Sequence, residues 1–254
     1  MGKIEGAALC FNTLLLYLRE TVGKMKDPRK ASNNLRYNLL SVVVGAFRAF
    51  FMQNESFLEF QRQLQSRCGE NNAQKLFGID KIPTPEQIRN VLDEISVESL
   101  FCIFERVYRA LKEEGYLKKF EVWGRQLLVT LDGSEYYSSK KIKCDCCSQR
   151  KSKNGEVTYS HSALLPAIVH PEESAVVSLP PEFITPQDGA DKQDCETNAA
   201  KRWIASHQHF FAGQPITLLG DDLYSRQPMV EHCAKYGFNY IFVCLPQSHL
   251  TLYE

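Results

Sequence analysis

Apolar residues recur every three to four positions through residues 5–22, 33–53 and 56–67. In the middle stretch Leu35, Leu39, Leu40, Val43, Phe47, Phe50 and Phe51 follow one stripe, and this spacing predicts amphipathic helices. Thr84-Pro85-Glu86-Gln87 supplies an N-cap, a proline at the first helical position and a capping-box glutamine, opening a helix that runs through Ile95. Ser96 is the expected cap of another, with Leu100, Phe101, Phe104, Val107, Tyr108 and Leu111 on its buried side and Gly115 at its end. From residue 124 the period changes. Short β-branched and apolar runs at 126–132, 158–169, 174–179, 216–221 and 239–245 predict strands, interrupted by periodic helices at 195–207 and 228–236. The expected class is α+β: a helical bundle over residues 1–120, then a mixed sheet flanked by helices over residues 121–254.

Charge divides this picture unevenly. Thirty basic residues balance thirty acidic ones, so the chain lacks the basic excess of many nucleic-acid binders. Residues 1–120 hold 18 Lys/Arg against 14 Asp/Glu, and the rest hold 12 against 16. Lys140, Lys141, Lys143, Arg150, Lys151 and Lys153 fall within fourteen residues opposed only by Asp145, a cluster that fits either a phosphate backbone or a solvated loop. Arg19, Lys24, Lys26, Arg29, Lys30 and Arg36 give the helical half the choice between DNA recognition and a packing and dimerisation bundle. Nine cysteines without a cleavable-looking signal segment point to a reducing cytosol, with Cys10, Cys102 and Cys244 expected as core thiols. The longest apolar stretch, residues 39–52, carries Ser41 and Arg48 and is shorter than the roughly 20 residues that span a bilayer.

The candidate chemistry sits where two predicted strands end. Asp132 closes Leu127-Leu128-Val129-Thr130-Leu131, and Asp221 closes Ile216-Thr217-Leu218-Leu219-Gly220. Were those strands neighbours, the rigid carboxylates would converge, which is how proteins hold Mg²⁺ against substrate phosphates. Asp222 is the rival of Asp221. Glu196, in the first turn of a predicted helix, complements the helix dipole and is otherwise a supporting residue for the site. Cys144 and Cys147 form a Cys-x2-Cys pair with His161 downstream, which reads either as three zinc ligands lacking an obvious fourth or as a thiol-containing hairpin. His161 and His170 otherwise read as structural histidines. No phosphate-binding glycine loop, nucleophile elbow or dinucleotide fingerprint occurs.

Leu131-Asp132-Gly133-Ser134-Glu135-Tyr136-Tyr137, Leu179-Pro180-Pro181-Glu182-Phe183-Ile184, Gln193-Asp194-Cys195-Glu196 and Leu218-Leu219-Gly220-Asp221-Asp222-Leu223-Tyr224 together resemble bacterial insertion-sequence transposases of the DDE class, from about residue 30 onward. The resemblance implies a ribonuclease-H-like catalytic domain and a two-metal Mg²⁺ (or Mn²⁺) mechanism that cuts and joins DNA at transposon ends. It implies Asp132 and Asp221 as metal ligands, with Asp221 preferred to Asp222 because it keeps the Asp-x-x-Tyr spacing to Tyr224. It further implies a homodimer on inverted-repeat and target DNA, in the bacterial cytoplasm on the nucleoid. The family's third acid lies in a Tyr-x2-Arg-x3-Glu-x6-Lys pattern that nothing through Glu254 matches. The corresponding expectation is a catalytic domain incomplete at its C-terminus and inactive alone, or a non-catalytic DNA-binding or dimerising remnant.

Overall fold

The computed structural model describes residues 9–30, 35–65, 74–79, 81, 83–186 and 194–254; residues 5–8, 33–34 and 66–67 of the predicted helices, and Gln193, lie outside these. The chain divides into two compact units, Met1–Ala110 and Leu111–Glu254. It is an α+β protein.

Helices α1 (Phe11–Lys24), α2 (Leu39–Phe51), α3 (Phe57–Gln65) and α4 (Pro85–Leu92) build the first unit, which α5 (Cys102–Glu113) enters. Asn38 caps α2 by accepting from Ser41 N–H at 2.7 Å, and Thr84 caps α4 by accepting from Gln87 N–H at 3.2 Å. Both bonds satisfy N–H groups that a helix start leaves unpaired. The core gathers Leu15, Leu18 and Val22 with Val42, Val43, Ala46, Ala49, Ile88 and Val91. The stripe predicted along α2 is buried at Leu39 and Val43 but not at its ends: Phe50 and Phe51 are exposed, as is Leu35, while Val42, Val44, Ala46 and Ala49 also face inward. Small side chains let α1 and α4 each pack against α2, and the larger rings go to the rim, where Phe51 meets Phe11 and Phe77. A 3-10 turn, Val97–Leu100, separates Ser96 from α5, and the Ser96 hydroxyl donates to Glu98 instead of capping. Of the side predicted to be buried there, only Tyr108 is fully enclosed.

In the second unit β1 (Glu121–Val122), β2 (Gln126–Thr130), β6 (Ala167–Val169), β7 (Val177–Ser178), β9 (Ile216–Gly220) and β10 (Asn239–Phe242) share one sheet in the order β10-β9-β2-β6-β7, with β1 at one end of β2. Strands β2, β9 and β10 run parallel, and β6 and β7 alternate against them. Leu127, Val129 and Leu218 are fully buried, as expected for central parallel strands covered on both faces. A mixed sheet with helices packed on it is what the sequence predicts.

A second sheet of β3 (Gly133–Ser139), β4 (Ser148–Lys151), β5 (Val157–Leu164) and β8 (Glu182–Ile184) grows out of the first. The predicted strand 158–169 is therefore two strands in two sheets, broken at Leu165-Pro166. Where the hairpin bends, Leu165 N–H donates to Asp132 O at 2.8 Å, so Asp132 stands at the seam between the sheets. Helix α6 (Glu196–His207) packs its Ala199, Ala200, Trp203 and Ile204 face over β5 and β8, and α7 (Gln227–Lys235) packs on α6 and β10. A short C-terminal helix, α8, spans Leu250–Tyr253. The cysteines depart from expectation: Cys10 and Cys102 are exposed and Cys244 is half-buried, whereas Cys147 and Cys233 are buried. Sulfur in an apolar run follows the face its element presents, and these three lie off the core faces. No helix among the described residues is long and apolar enough to cross a membrane.

Candidate active site

Strands β2 and β9 pair in parallel with Thr130 opposite Leu219, and the ladder continues through Leu131 N–H, which donates to Leu219 O at 2.8 Å. Beyond this last paired position the two strands run out at neighbouring ends, β2 into Asp132 and β9 into Asp221. Both aspartates are exposed at the strand ends.

Glycine flanks each of them, and each glycine admits one further side chain. A Cβ at Gly133 would overlap the Glu196 carboxylate, and one at Gly220 would lie 2.7 Å from Tyr224 Cδ2. Through the first gap Glu196, the first residue of α6, passes over Gly133, next to Asp132 in the chain. Its Oε1 accepts from Gly133 N–H at 3.1 Å and from the Tyr224 hydroxyl at 2.5 Å. The Asp-x-x-Tyr spacing is the turn that brings Tyr224 back: Asp221 Oδ1 accepts from Leu223 N–H at 2.9 Å, and Tyr224 N–H donates to Asp221 O at 3.2 Å. Tyr224 is fully buried. Burial first, then its bond to Glu196 and the charges of Glu196, Asp221 and Asp132, drive its phenol far above the ordinary tyrosine value. Three carboxylates thus act on one phenol.

Asp222 is committed elsewhere. Its carboxylate accepts from Leu245 N–H at 2.7 Å and from Ser248 Oγ at 2.6 Å, and it lies 3.4 Å from His249 Nε2. The Leu245 bond first and the Ser248 bond second hold it below the usual aspartate range.

The start of α6 is fixed from behind. Arg202 donates to Asp194 at 2.9 and 3.1 Å and to Glu182 at 2.7 Å, and the Asp194 side chain is wholly buried. Trp203 Nε1 donates to Pro180 O at 2.8 Å. The stretches 179–184 and 194–196, far apart in the chain's chemistry, are one clamp that aims Glu196.

No family model and no curated protein matches the chain. What can be said of the site therefore rests on its geometry. Beside Glu196 a groove of about 420 Å³ is lined by Ser134, Glu135, Ser148, Arg150 and Ser160, among others. Of the predicted basic cluster, Arg150 and Lys151 stand on β4, Lys140, Lys141 and Lys143 on the β3–β4 connection, and Lys153 in the following turn; all six are exposed. Lys140 is paired with Glu156 at 2.8 Å, and Lys143 lies over the Tyr159 ring at 5.5 Å. In the helical unit Arg29 is spent on Asp27 at 2.7 Å, while Lys24, Lys26, Lys30 and Arg36 are exposed. Cys144, Cys147 and His161 come together at the base of the β3–β4 connection. His170 accepts from Glu172 N–H through Nδ1, within its own turn.

Glu196 is the residue whose weight sequence reasoning underestimated. A first-turn acid is explained by the dipole alone, and only the missing Cβ of Gly133 reveals that the carboxylate passes over it.

Proposed function

We propose that this chain carries out metal-dependent phosphodiester cleavage and transfer on DNA, as a DDE-class transposase of the insertion-sequence type. Asp132, Asp221 and Glu196 are the residues that would hold the metal, and the observation that carries this reading is the parallel register that ends β2 at Asp132 and β9 at Asp221, with Glu196 bonded to Gly133 beside the one and to Tyr224 beside the other. The donor set fits Mg²⁺ or Mn²⁺: hard carboxylate oxygens on rigid backbone, two of them exposed so that water and phosphate oxygens complete the coordination. When bound, a metal pair supplies an activated water and stabilises the leaving 3′ oxygen.

The protein's own part is placement. Tyr224 donates to Glu196 and remains neutral, so it fixes one carboxylate without adding charge. Asp221 is held by the Leu223 amide, and Asp132 by the seam between the sheets. The groove beside Glu196 and the exposed cations of β4 and its connections offer a path for the phosphate backbone.

The test measures Mn²⁺ binding and Mg²⁺-dependent cleavage of duplex DNA carrying the inverted repeats that flank the gene. Asp132→Asn, Asp221→Asn and Glu196→Gln are each expected to lower Mn²⁺ affinity at least tenfold and to abolish cleavage, while Asp222→Asn retains metal. Mn²⁺ affinity equal to wild type in all three variants overturns the site. Metal binding without cutting, alongside intact DNA binding, selects the non-catalytic DNA-binding remnant.

A further inference from the structure

Cys144 Sγ and Cys147 Sγ lie 3.7 Å apart, and each is 3.3 Å from His161 Nε2. These are the spacings of ligands around one small ion. Zinc–sulfur bonds of about 2.3 Å and zinc–nitrogen bonds of about 2.0 Å at tetrahedral angles put two sulfurs about 3.7 Å apart and sulfur and nitrogen about 3.5 Å apart. A disulfide, by contrast, needs sulfurs about 2.05 Å apart.

The surroundings are those of a ligand set held in advance. Cys147 N–H donates to Cys144 O at 3.2 Å, closing a tight turn, and within it Cys144 N–H donates back to Cys147 Sγ at 3.2 Å, which orients the sulfur. His161, on β5, is enclosed by Tyr136 and Tyr137, with ring centroids 5.8 and 5.5 Å away. Cys147 is buried, His161 half-buried and Cys144 exposed, so the cluster opens to solvent on one side.

We infer that Cys144, Cys147 and His161 bind one Zn²⁺, with solvent in the fourth position. This site is separate from the carboxylates and does not depend on the function proposed for them. Binding converts two thiols to thiolates and releases their two protons to solvent, while no electron is transferred. The ion would fasten the β3–β4 connection, which carries Lys140, Lys141 and Lys143, to the middle strand of its sheet. Cys146, between the two ligands in sequence, is outside the cluster.

The experiment quantifies zinc in the full chain purified without chelator, and records the absorption of apo protein reconstituted with Co²⁺. The expected result is about one zinc per chain, with thiolate-to-cobalt charge transfer and the intense visible bands of a tetrahedral ion. Cys144→Ser, at the exposed ligand, and His161→Gln are expected to lose at least tenfold in zinc affinity, while Cys146→Ser keeps it. Because buried Cys147 is a poorer test of binding than of folding, circular dichroism of each variant accompanies the metal measurement. Metal-free wild type that also fails to take up Co²⁺, or folded Cys144→Ser and His161→Gln with unchanged zinc, overturns the assignment. Loss of zinc in Cys146→Ser equal to that in Cys144→Ser overturns the three-ligand arrangement.

Discussion

Gly133 is where a single atom decides the site. Its backbone needs no left-handed conformation, so the requirement for glycine is the space that Glu196 occupies. Adding a methyl group there forces either α6 outward or the carboxylate into another rotamer, and overpacking of this kind costs about 1–3 kcal/mol. Gly133→Ala is expected to fold with a lowered melting temperature and to lose Mn²⁺ affinity about as far as Glu196→Gln does. Unchanged affinity, measured by titration, would show that Glu196 does not share the metal. At this scale the aspartates were legible, because a polar residue ending an apolar run needs no tertiary information. Glu196 was legible only as a supporting residue, because its contact with Gly133 spans 63 residues.

At the scale of elements, Asp222 joins the start of one loop to another beyond β10. Its carboxylate is depressed below its ordinary value of 3.8 because only the charged form fully accepts from Leu245 and Ser248. A depressed acid stabilises the fold above its unfolded value, and that contribution disappears as pH falls through the folded one. The connection after β10 is therefore expected to loosen only in acid, below about pH 4, while the rest of the sheet holds. Amide resonances of Leu245 and Ser248 followed by NMR should titrate together with an apparent midpoint below 3.8. They should stop titrating in Asp222→Asn, and a midpoint at or above the ordinary value contradicts the bonding described. Regular elements were legible where periodicity was strong, as in α6 and α7, whose predicted spans differ from the observed ones by about a residue. The second sheet was not. Gly133–Ser139 and Ser148–Lys151 are polar strands of an exposed ribbon, with no apolar alternation to announce them, and Pro166 divides what reads as one long strand.

For the whole molecule, thirty positive and thirty negative charges leave no net field to draw in DNA. Any affinity for a phosphate backbone must then arise from local patches, and salt dependence becomes a count of the cations in contact. The slope of log affinity against log salt changes by about 0.9 for each phosphate neutralised on duplex DNA. Lys141, Arg150, Lys151 and Lys153 are exposed without an ion pair among the described residues, whereas Lys140 already faces Glu156. Arg150→Gln combined with Lys151→Gln is expected to reduce the slope by roughly 1.8, and Lys140→Gln by clearly less than 0.9, since releasing Lys140 also frees a repelling carboxylate. The same double change on the helical unit, Lys24→Gln with Lys26→Gln, separates the two patches, because only the unit that touches DNA alters the slope. Filter binding over a range of potassium chloride concentrations reads all three. A slope that none of these variants changes would remove the phosphate backbone from both surfaces, and with it the DNA substrate on which the proposed chemistry depends.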